Sequence, residues 1–443
     1  MACVGGEGSR LVVQGGGKLS GTVLASGSKY SAMLTLVAAL LQPDRAILRN
    51  IPKIKDVKAM LAIAQFLGVR AARSADGALV IDTSSMENRT IPPELTAPLH
   101  SSYLLLPLLA TRFDEASIGL PGGCRVDDNR YPKAIAAVYD PFGFEMRLDS
   151  RRRLISAVRK GSPDRHRCLD FSAVSYRDLT LFTKTAVLLA ANTPGVTVLR
   201  RPFMGPEMRD MGAVLRQMGV QIWGEGNEIL FMVGADQWQP VDHAILPDWT
   251  EALTLLAAGF LTAGRVTVGN LPVPWMGSEL AALAWMGAEL GLGNENGGRP
   301  VGTAPVSCGR GGQLRPIRLK TSSYPGINTD AHPILAACLT QSPGRSVITE
   351  GVFNHRSLYA EQFRRMNVQL ECNGPVVSVD GPSRLRGATV SGHDIRACAS
   401  LLLLALAAEG ETVIEDWQHL NRGYEGLPDK FRSLGGIISE TIP

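Results

Sequence analysis

One succession of structural elements recurs six times along the 443-residue chain, about every 70 to 80 residues. Each copy has an apolar helix, a short break with Gly, Pro or Asp, a strand of alternating β-branched residues, a polar loop and an amphipathic helix ending near a Gly. The helix and strand of each copy fall at 32–41 and 46–50, 104–110 and 116–120, 183–191 and 196–199, 252–258 and 266–268, 334–339 and 346–348, and 399–408 and 412–415.

This repeat constrains the fold more than any other feature. Loosely similar helix-strand alternation occurs in any α/β protein, but six copies in register are a stronger pattern. Each apolar helix needs neighbours on all its faces, so three copies packed around a common centre form a domain. The chain is therefore predicted to contain two such domains, with helices inside and sheets outside.

Composition excludes several classes of protein. The chain is 45% hydrophobic, and its net charge of +4 comes from interspersed acidic and basic residues. This pattern argues against a nucleic-acid-binding stripe and is compatible with an anionic small substrate. The 7 cysteines are scattered without a CxxC pair, so neither a disulfide framework nor a zinc knuckle is expected. With no secretory signal and no apolar run of membrane-spanning length, we expect a soluble cytoplasmic protein without a membrane partner.

Short motifs spread along the chain carry a resemblance to a known family. They are Val13-Gln14-Gly15-Gly16, Lys18-Leu19-Ser20-Gly21, Ser26-Gly27-Ser28-Lys29, Asn50-Ile51-Pro52-Lys53, Lys55-Asp56-Val57, Leu120-Pro121-Gly122-Gly123-Cys124, Leu246-Pro247-Asp248, Asn328-Thr329-Asp330, Asp394-Ile395-Arg396-Ala397 and Asn421-Arg422-Gly423-Tyr424-Glu425. In this order they resemble the enolpyruvyl transferases, in particular the branch that acts on UDP-N-acetylglucosamine in peptidoglycan synthesis.

The resemblance implies a specific α/β architecture. The family fold is a two-domain inside-out α/β barrel of six βαβαββ-type repeats, in agreement with the periodicity. It places residues 28–245 in one domain, which carries the Cys124 loop, and residues 1–27 and 246–443 in the other, which carries Asp330, Arg396 and Arg422. It also implies that the two domains close around the substrates and exclude water.

Fixed cations are the first requirement for a phosphoenolpyruvate site, because this donor carries nearly three negative charges in a small volume. The resemblance implies that Lys29, Arg396 and Arg422 contact the phosphate or the reaction centre, and that Arg356 contacts the enolpyruvyl carboxylate. Lys29 also follows Ser26-Gly27-Ser28 at the predicted start of an apolar helix, where backbone N–H groups favour an anion. Arg130 is a further candidate, although its loop is one residue longer than the family pattern.

Two residues resemble the family's proton-transfer groups. Asp330, at the start of an apolar helix, resembles the base for the acceptor hydroxyl, and the alternative is a helix N-cap aspartate. Cys124 lies in a Gly-Gly-Cys loop beside Arg125, a setting that favours a thiolate. The family cysteine donates a proton, forms an adduct with phosphoenolpyruvate and is the target of fosfomycin. The alternative for Cys124 is a buried structural cysteine.

The acceptor positions depart from the peptidoglycan pattern. Tyr30 replaces an asparagine that contacts the acceptor sugar, His100 and Trp249 replace arginines, Ala173 replaces a lysine, and Lys133 takes the place of an aspartate in the uracil-clamping loop. Residues implied to contact the acceptor are Tyr30, His100, Lys133, Ser175, Tyr176, Arg177, Val352 and Phe353. A different acceptor explains why these changes cluster while the donor cations are kept; random drift is the alternative.

These departures favour the relatives that transfer the enolpyruvyl group to the 3′-hydroxyl of UMP in nucleoside-antibiotic biosynthesis. The alternative acceptors are UDP-N-acetylglucosamine and, with less support from the motifs, a shikimate-pathway alcohol. A non-catalytic nucleotide-binding paralogue also stays open, although the combination of Lys29, Cys124, Asp330, Arg396 and Arg422 argues against it. The expected partners are phosphoenolpyruvate and a uridine nucleotide, with no metal and no cofactor. The sequence leaves the oligomeric state undetermined.

Overall fold

The computed structural model describes residues 9–41, 45–122, 133–293, 303–353 and 355–441. The chain divides into two compact units. The central unit comprises Gly27–Leu246, and the terminal unit comprises Met1–Ser26 together with Pro247–Pro443. The chain therefore passes from one unit to the other twice.

The helices alternate with short strands throughout both units. The helices are α1 Lys29–Ala39, α2 Lys55–Phe66, α3 Pro93–Thr96, α4 Leu105–Phe113, α5 Ala136–Tyr139, α6 Tyr176–Ala191, α7 Pro206–Gln217, α8 Trp249–Leu261, α9 Gly277–Met286, α10 His332–Leu339, α11 Ala360–Arg365, α12 Ile395–Ala407 and α13 Leu427–Ser433.

The strands are short, as expected for small sheets. They are β1 Arg10–Gln14, β2 Ser20–Val23, β3 Arg45–Arg49, β4 Arg70–Arg73, β5 Leu79–Asp82, β6 Thr90–Ile91, β7 Glu115–Gly119, β8 Phe144–Asp149, β9 Leu154–Arg159, β10 His166–Asp170, β11 Val196–Arg200, β12 Gln221–Trp223, β13 Ile229–Val233, β14 Val241–Ala244, β15 Arg265–Leu271, β16 Ala288–Leu292, β17 Ala304–Arg310, β18 Arg318–Lys320, β19 Gly344–Thr349, β20 Gln369–Asn373, β21 Val376–Gly381, β22 Thr389–Ser391, β23 Glu411–Glu415 and β24 Ile437–Thr441.

Every sheet in the described residues has four strands and the same topology. The central unit has the orders β14-β3-β5-β4, β6-β7-β9-β8 and β10-β11-β13-β12, and the terminal unit has β2-β15-β17-β16, β18-β19-β21-β20 and β22-β23-β1-β24. In each order the first two strands are parallel and the other neighbours are antiparallel. The unit that the sequence predicts six times is therefore the repeating unit of the fold.

At each of the two points where the chain passes between units, the last strand before the crossing stays in the sheet of the unit that the chain leaves. β2 leads into α1 but pairs with β15, and β14 leads into α8 but pairs with β3. The N-terminal strand β1 completes the last sheet by pairing with both β23 and β24. Each sheet is thus complete within its own unit.

The core helices are apolar on all sides because they are covered on all sides. In the terminal unit α8, α10 and α12 pack against one another, and every residue of α8 is buried. A Cβ at Gly259 would lie 2.4 Å from the Cys308 carbonyl oxygen, so only glycine permits this approach of α8 to β17. In the central unit α4 packs on α6, and α1 packs on α2 and α7.

The fold class predicted from the sequence, an inside-out α/β barrel of six βαβαββ-type repeats, is confirmed. Each unit contains three of the sheets, and in the terminal unit the helices α8, α10 and α12 form the centre. Replacing a fully buried leucine such as Leu256 with alanine would cost about 2 to 5 kcal/mol. No helix among the described residues is long and apolar enough to cross a membrane.

Candidate active site

Asp330 is a buried carboxylate that two arginines of the terminal unit share. Arg356 donates from Nη2 to Asp330 Oδ1 at 2.6 Å. Arg396 donates from Nε and Nη2 to Asp330 Oδ2 at 3.1 and 3.0 Å. Both arginines are buried as well. Charge-assisted hydrogen bonds of this kind are stronger than neutral ones, and two guanidinium groups stabilise the carboxylate as an anion.

The backbone around Asp330 explains why its side chain is available to the arginines. Asp330 lies in a 3-10 helix, Thr329–Ala331, directly before α10. Asn328 is the N-cap of this helix, and its side-chain oxygen accepts a hydrogen bond from the Asp330 N–H at 2.9 Å. The N-cap interpretation of Asp330 is therefore wrong: Asn328 takes that role, and the Asp330 carboxylate binds the arginines instead.

Arg396 is fixed by the first turn of α12. The Asp394 carboxylate caps this helix and accepts hydrogen bonds from the Arg396 and Ala397 N–H groups at 2.8 and 3.2 Å. The Arg396 guanidinium carbon lies 5.2 Å from the centre of the Tyr424 ring, within the range of a cation-π contact. Burial raises the pKa of Tyr424 to about 12, so its hydroxyl stays protonated at neutral pH.

Arg356 is held by a second network centred on Glu350. Arg356 Nε donates to Thr329 Oγ1 at 3.1 Å, and Thr329 Oγ1 donates in turn to Glu350 Oε1 at 2.9 Å. The same Glu350 oxygen accepts from the Val352 and Phe353 N–H groups at 2.9 and 3.2 Å. One buried carboxylate therefore supports both Arg356 and the predicted acceptor-contacting segment 352–353.

Glu350 has a buried histidine as its other partner. His332 Nδ1 lies 2.8 Å from Glu350 Oε2. Burial opposes ionisation of Glu350, but hydrogen bonds from His332 and Thr329 bring its pKa below the ordinary value of 4.5. Burial lowers the pKa of His332, so this imidazole is neutral at physiological pH.

Lys29 begins α1 in the central unit, as the sequence predicts. Ser28 is the N-cap, and its Oγ accepts a hydrogen bond from the Ser31 N–H at 3.3 Å. Lys29 Nζ lies 2.6 Å from Oδ2 of Asp56, which is buried in the first turn of α2. This ion pair fixes the ammonium group at the N-terminus of a buried helix.

The remaining predicted residues of the central unit differ in their surroundings. Tyr30 is half-buried in the first turn of α1, and His100 is exposed with its ring edge-on to Tyr103 at 5.6 Å. Ser175 is the N-cap of α6, where its Oγ accepts from the Asp178 N–H at 3.3 Å. Tyr176 is exposed, and Arg177 is half-buried beside it.

Two other predicted residues lie in 3-10 helices, and two lie outside the described part of the chain. Lys133 begins a 3-10 helix, Lys133–Ile135. Arg422 is half-buried at the end of a 3-10 helix, Trp417–Arg422, with Gly423 as its C-cap. Cys124 and Arg130 lie outside the described residues. In the part of the chain that is described, no group of His, Cys, Asp or Glu residues is arranged to hold a metal ion.

The family is identified by a match over almost the whole chain. Residues 13–431 match the sequence profile of EPSP synthase (3-phosphoshikimate 1-carboxyvinyltransferase). The chain belongs to this family. Its members transfer a carboxyvinyl, or enolpyruvyl, group, and this chain is an enolpyruvyl transferase.

Individual relatives are similar over nearly their full lengths. The chain is 31% identical over 431 residues to UDP-N-acetylglucosamine 1-carboxyvinyltransferase 1 of Staphylococcus aureus, covering 97% of this chain and 98% of the relative. It is 33% identical over 450 residues to the protein of the same name from Symbiobacterium thermophilum, covering 99% of this chain and 97% of the relative.

Solved structures agree with this assignment. The enolpyruvyl transferase NikO from Streptomyces tendae is similar with a TM-score of 0.87 and 28% identity, covering 98% of this chain and 99% of that chain. EPSP synthase from Acinetobacter baumannii is similar with a TM-score of 0.76, covering 98% and 100% of the two chains. At 16% identity, the second likeness shows the fold alone.

Several buried charged residues of the two units are not predicted from the sequence. Glu350 and His332 were assigned no role, nor was Asp56, although it lies in one of the matched motifs. Lys184 in α6 and Glu207 in α7 form a buried ion pair, with Nζ and Oε1 3.2 Å apart. The available signal is a lysine inside the largely apolar stretch 182–191 of α6, since buried lysines are rare unless they are paired.

Proposed function

We propose that this enolpyruvyl transferase moves the carboxyvinyl group of phosphoenolpyruvate to the 3′-hydroxyl of UMP and releases phosphate, as a step in nucleoside-antibiotic biosynthesis. The observation that carries the proposed chemistry is the Asp330 carboxylate between Arg356 and Arg396. It places a carboxylate, which can accept a hydroxyl proton, beside two fixed cations, which can bind an anion, in a buried setting.

The reaction is an addition followed by an elimination. A proton is added to C3 of phosphoenolpyruvate, and the positive charge that develops at C2 is attacked by the acceptor oxygen. The acceptor's hydroxyl proton passes to Asp330 as the new C2–O bond forms. The group that gave the first proton then takes one proton back from C3, the C2–O bond to phosphate breaks, and the double bond is restored. The phosphate leaves with the bonding electron pair and takes up the proton held by Asp330. We assign the first proton donation to Cys124.

We assign the binding of phosphoenolpyruvate to four cationic side chains. Lys29, Arg396 and Arg422 take the phosphate or the reaction centre, and Arg356 takes the carboxylate. The planar guanidinium fork suits both groups, because it donates two hydrogen bonds in one plane. The burial of Arg356 and Arg396 supports these roles, since electrostatic interactions are stronger where water is excluded.

The acceptor assignment is supported by Tyr30. A tyrosine fills more of the pocket than the asparagine of the peptidoglycan enzymes and offers a different set of hydrogen bonds. This favours an acceptor without an N-acetylglucosamine group. Tyr176 and Arg177, at the N-terminus of α6, are assigned to the nucleotide phosphate, where the helix dipole also favours an anion.

UDP-N-acetylglucosamine is the second candidate acceptor. It is favoured by the names of the curated relatives, which cover nearly the whole chain at 31% and 33% identity. Ser175, at the start of α6, is also shared with the peptidoglycan pattern. Both candidates are uridine nucleotides, so one assay separates them.

The test is phosphate release from phosphoenolpyruvate in the presence of one acceptor at a time. We expect release with UMP and with 2′-deoxy-UMP, which keeps the 3′-hydroxyl, and none with 3′-deoxy-UMP. The Asp330→Asn variant serves as the matched inactive control. Release with UDP-N-acetylglucosamine alone would rule out the UMP assignment, and no release with any nucleotide alcohol would favour a binding-only role.

A further inference from the structure

Lys184 is a buried lysine in the apolar helix α6. Its residue is 4% exposed, and its neighbours in the helix from Phe182 to Ala191 are all buried. Its partner is Glu207 in the first turn of α7, which is 7% exposed. Burying two charges has a large desolvation penalty, and an apolar pair of similar volume is often equally stable or more stable. Stability alone therefore gives little reason for this pair.

The Lys184 ammonium lies beside two aromatic rings. Its Nζ is 5.3 Å from the centre of the Phe203 ring and 5.9 Å from the centre of the Tyr30 ring. Both distances are within the range of a cation-π contact, which is stronger when the cation is shielded from water. Lys184 thus connects the buried core of α6 with the half-buried Tyr30 at the start of α1.

The surroundings leave Lys184 little freedom to move away from these rings. Thr183 Oγ1 accepts a hydrogen bond from the Phe203 N–H at 2.8 Å, which fixes the backbone that carries the Phe203 ring. A Cβ at Gly205 would lie 2.4 Å from Phe203 Cζ and 2.6 Å from Glu207 Oε2. The Phe203 ring and the Glu207 carboxylate are therefore packed directly over this glycine.

We infer that Lys184 is a positioning residue for acceptor selection. Anchored by Glu207 and Phe203, its ammonium group holds the Tyr30 ring in place, and Tyr30 in turn sets the space available to a nucleotide acceptor. The inference rests on the proposed function in one respect, namely that Tyr30 contacts the acceptor. It assigns a role to a buried ion pair that takes no part in the chemistry.

The test is steady-state kinetics of Lys184→Met/Glu207→Gln, a double variant that leaves no buried charge without its partner. We expect the acceptor KM to rise about 3- to 30-fold, the range expected from loss of a buried cation-π contact. The KM for phosphoenolpyruvate and kcat stay within about 2-fold of the wild type, because the donor cations are unchanged. The single variant Lys184→Arg keeps the positive charge beside the two rings. Its acceptor KM is therefore expected to stay closer to the wild-type value than that of the double variant.

Two further variants separate positioning from general damage to the fold. Lys160→Met removes an exposed lysine of the same unit and leaves both KM values unchanged. Gly205→Ala displaces the Phe203 ring and the Glu207 carboxylate without altering Lys184, and it raises the acceptor KM selectively. It also tests the inference if the double variant does not fold.

The inference is overturned if the folded variants keep the wild-type acceptor KM, or if the two substrates' KM values rise together. Every variant is assayed with UMP and with UDP-N-acetylglucosamine. A wild type that uses only UDP-N-acetylglucosamine contradicts the proposed acceptor, whereas the ratio of variant to wild-type KM still decides the role of Lys184. The acceptor that the wild type uses therefore tests the proposed function. The ratio of variant to wild-type acceptor KM tests this inference separately.

Discussion

Arg396 binds Asp330 through two donors, Nε at 3.1 Å and Nη2 at 3.0 Å, and both reach the same carboxylate oxygen, Oδ2. The other oxygen is bound by Arg356 at 2.6 Å. The carboxylate is therefore fixed in orientation on both sides. This arrangement has direct consequences for substitution at either end of the ion pair.

Replacing Asp330 with Asn keeps the shape of the side chain and removes its charge. Because the amide cannot accept the hydroxyl proton, we expect kcat to fall by about 10² to 10⁴ while nucleotide binding changes little. Steady-state kinetics and calorimetric titration with UMP measure the two quantities. Asp236→Asn, at an exposed position of the central unit, is the matched control. A kcat for Asp330→Asn near that of the wild type would exclude this residue as the base.

Replacing Arg396 with Lys keeps the charge but removes the planar fork. A lysine offers one ammonium group where the guanidinium can present two coplanar donors to the donor anion, and it also loses the two-donor contact with Asp330. We therefore expect kcat/KM for phosphoenolpyruvate to fall about 10- to 100-fold. The exposed Arg365→Lys variant controls for the loss of a guanidinium group. An effect confined to the acceptor KM would contradict the assignment of Arg396 to the donor.

Replacing Tyr30 with Asn tests acceptor choice directly. The smaller amide restores the space and the hydrogen-bonding groups of the peptidoglycan pattern. We expect kcat/KM for UMP to fall and kcat/KM for UDP-N-acetylglucosamine to rise, so that their ratio shifts by about 10-fold or more. Tyr30→Phe, which keeps the ring, retains the preference for UMP. An unchanged ratio in Tyr30→Asn would remove this residue from acceptor recognition.

The buried pair of His332 and Glu350 makes stability depend on pH. Burial keeps the pKa of His332 below its ordinary value of 6.5. As the pH falls below that value, the unfolded chain binds a proton there and the folded protein does not, so the free energy of unfolding decreases. The pKa of Glu350 is also lowered, from 4.5, and its contribution is lost at still lower pH, as the pH falls through its folded pKa.

We therefore expect the urea midpoint to be lower at about pH 5.5 than at about pH 7.5. His332→Gln removes the titrating ring and reduces this difference relative to the wild type. Comparing the two proteins isolates the histidine from all other titrating groups. A wild-type midpoint that is higher at the acidic pH, or an identical pH dependence in both proteins, would contradict this explanation.

The cysteines differ in their expected reactivity. Burial raises the pKa of the Cys308 thiol to about 12, and it also raises the pKa values of Cys338 and Cys398. Cys168 and Cys372 are exposed. Because the thiolate is the reactive form, brief treatment with iodoacetamide modifies Cys168 and Cys372 and leaves the three buried thiols intact. Peptide mass spectrometry measures this, with urea-unfolded protein as the fully labelled control.

Cys124 belongs in the same experiment. We predict that it is modified in the native protein and that phosphoenolpyruvate protects it. Cys168 provides the internal control, because the substrate has no reason to protect a thiol on the exposed face of a sheet. Modification of Cys124 at the same rate with and without phosphoenolpyruvate would argue against its contact with the donor.

Much of the fold could be predicted from the sequence because the same elements recur. Helices that are apolar on every face identify α8, α10 and α12 as core elements, and Ser28 marks the start of α1. The exchange of β2 and β14 between repeats is not visible in their local sequence pattern, because strand pairing is set by tertiary packing. Only the domain bounds implied by the family resemblance agree with it. Nothing in residues 20–23 indicates that they pair with β15 rather than with β3.

The site was only partly predictable for a related reason. Asp330 and the arginines within the matched motifs can be recognised by residue type and context. The partners that hold them in place did not stand out. Asp56, Thr329 and Glu350 lie far from their partners along the chain and have no sequence pattern that indicates the contact. Asn328 and Asp330 are both residue types that commonly cap the N-terminus of a helix. Only the backbone geometry shows that Asn328 is the cap here.

The central claim is that the three-carbon group of phosphoenolpyruvate moves to a nucleotide hydroxyl. It is tested most directly by carbon NMR of a reaction with phosphoenolpyruvate labelled at C2 and unlabelled UMP. We predict a vinyl-ether carbon coupled to the 3′ position of the ribose, with one phosphate released for each product formed. Label that stays in phosphoenolpyruvate, or that appears in free pyruvate while UMP is unchanged, would contradict the claim.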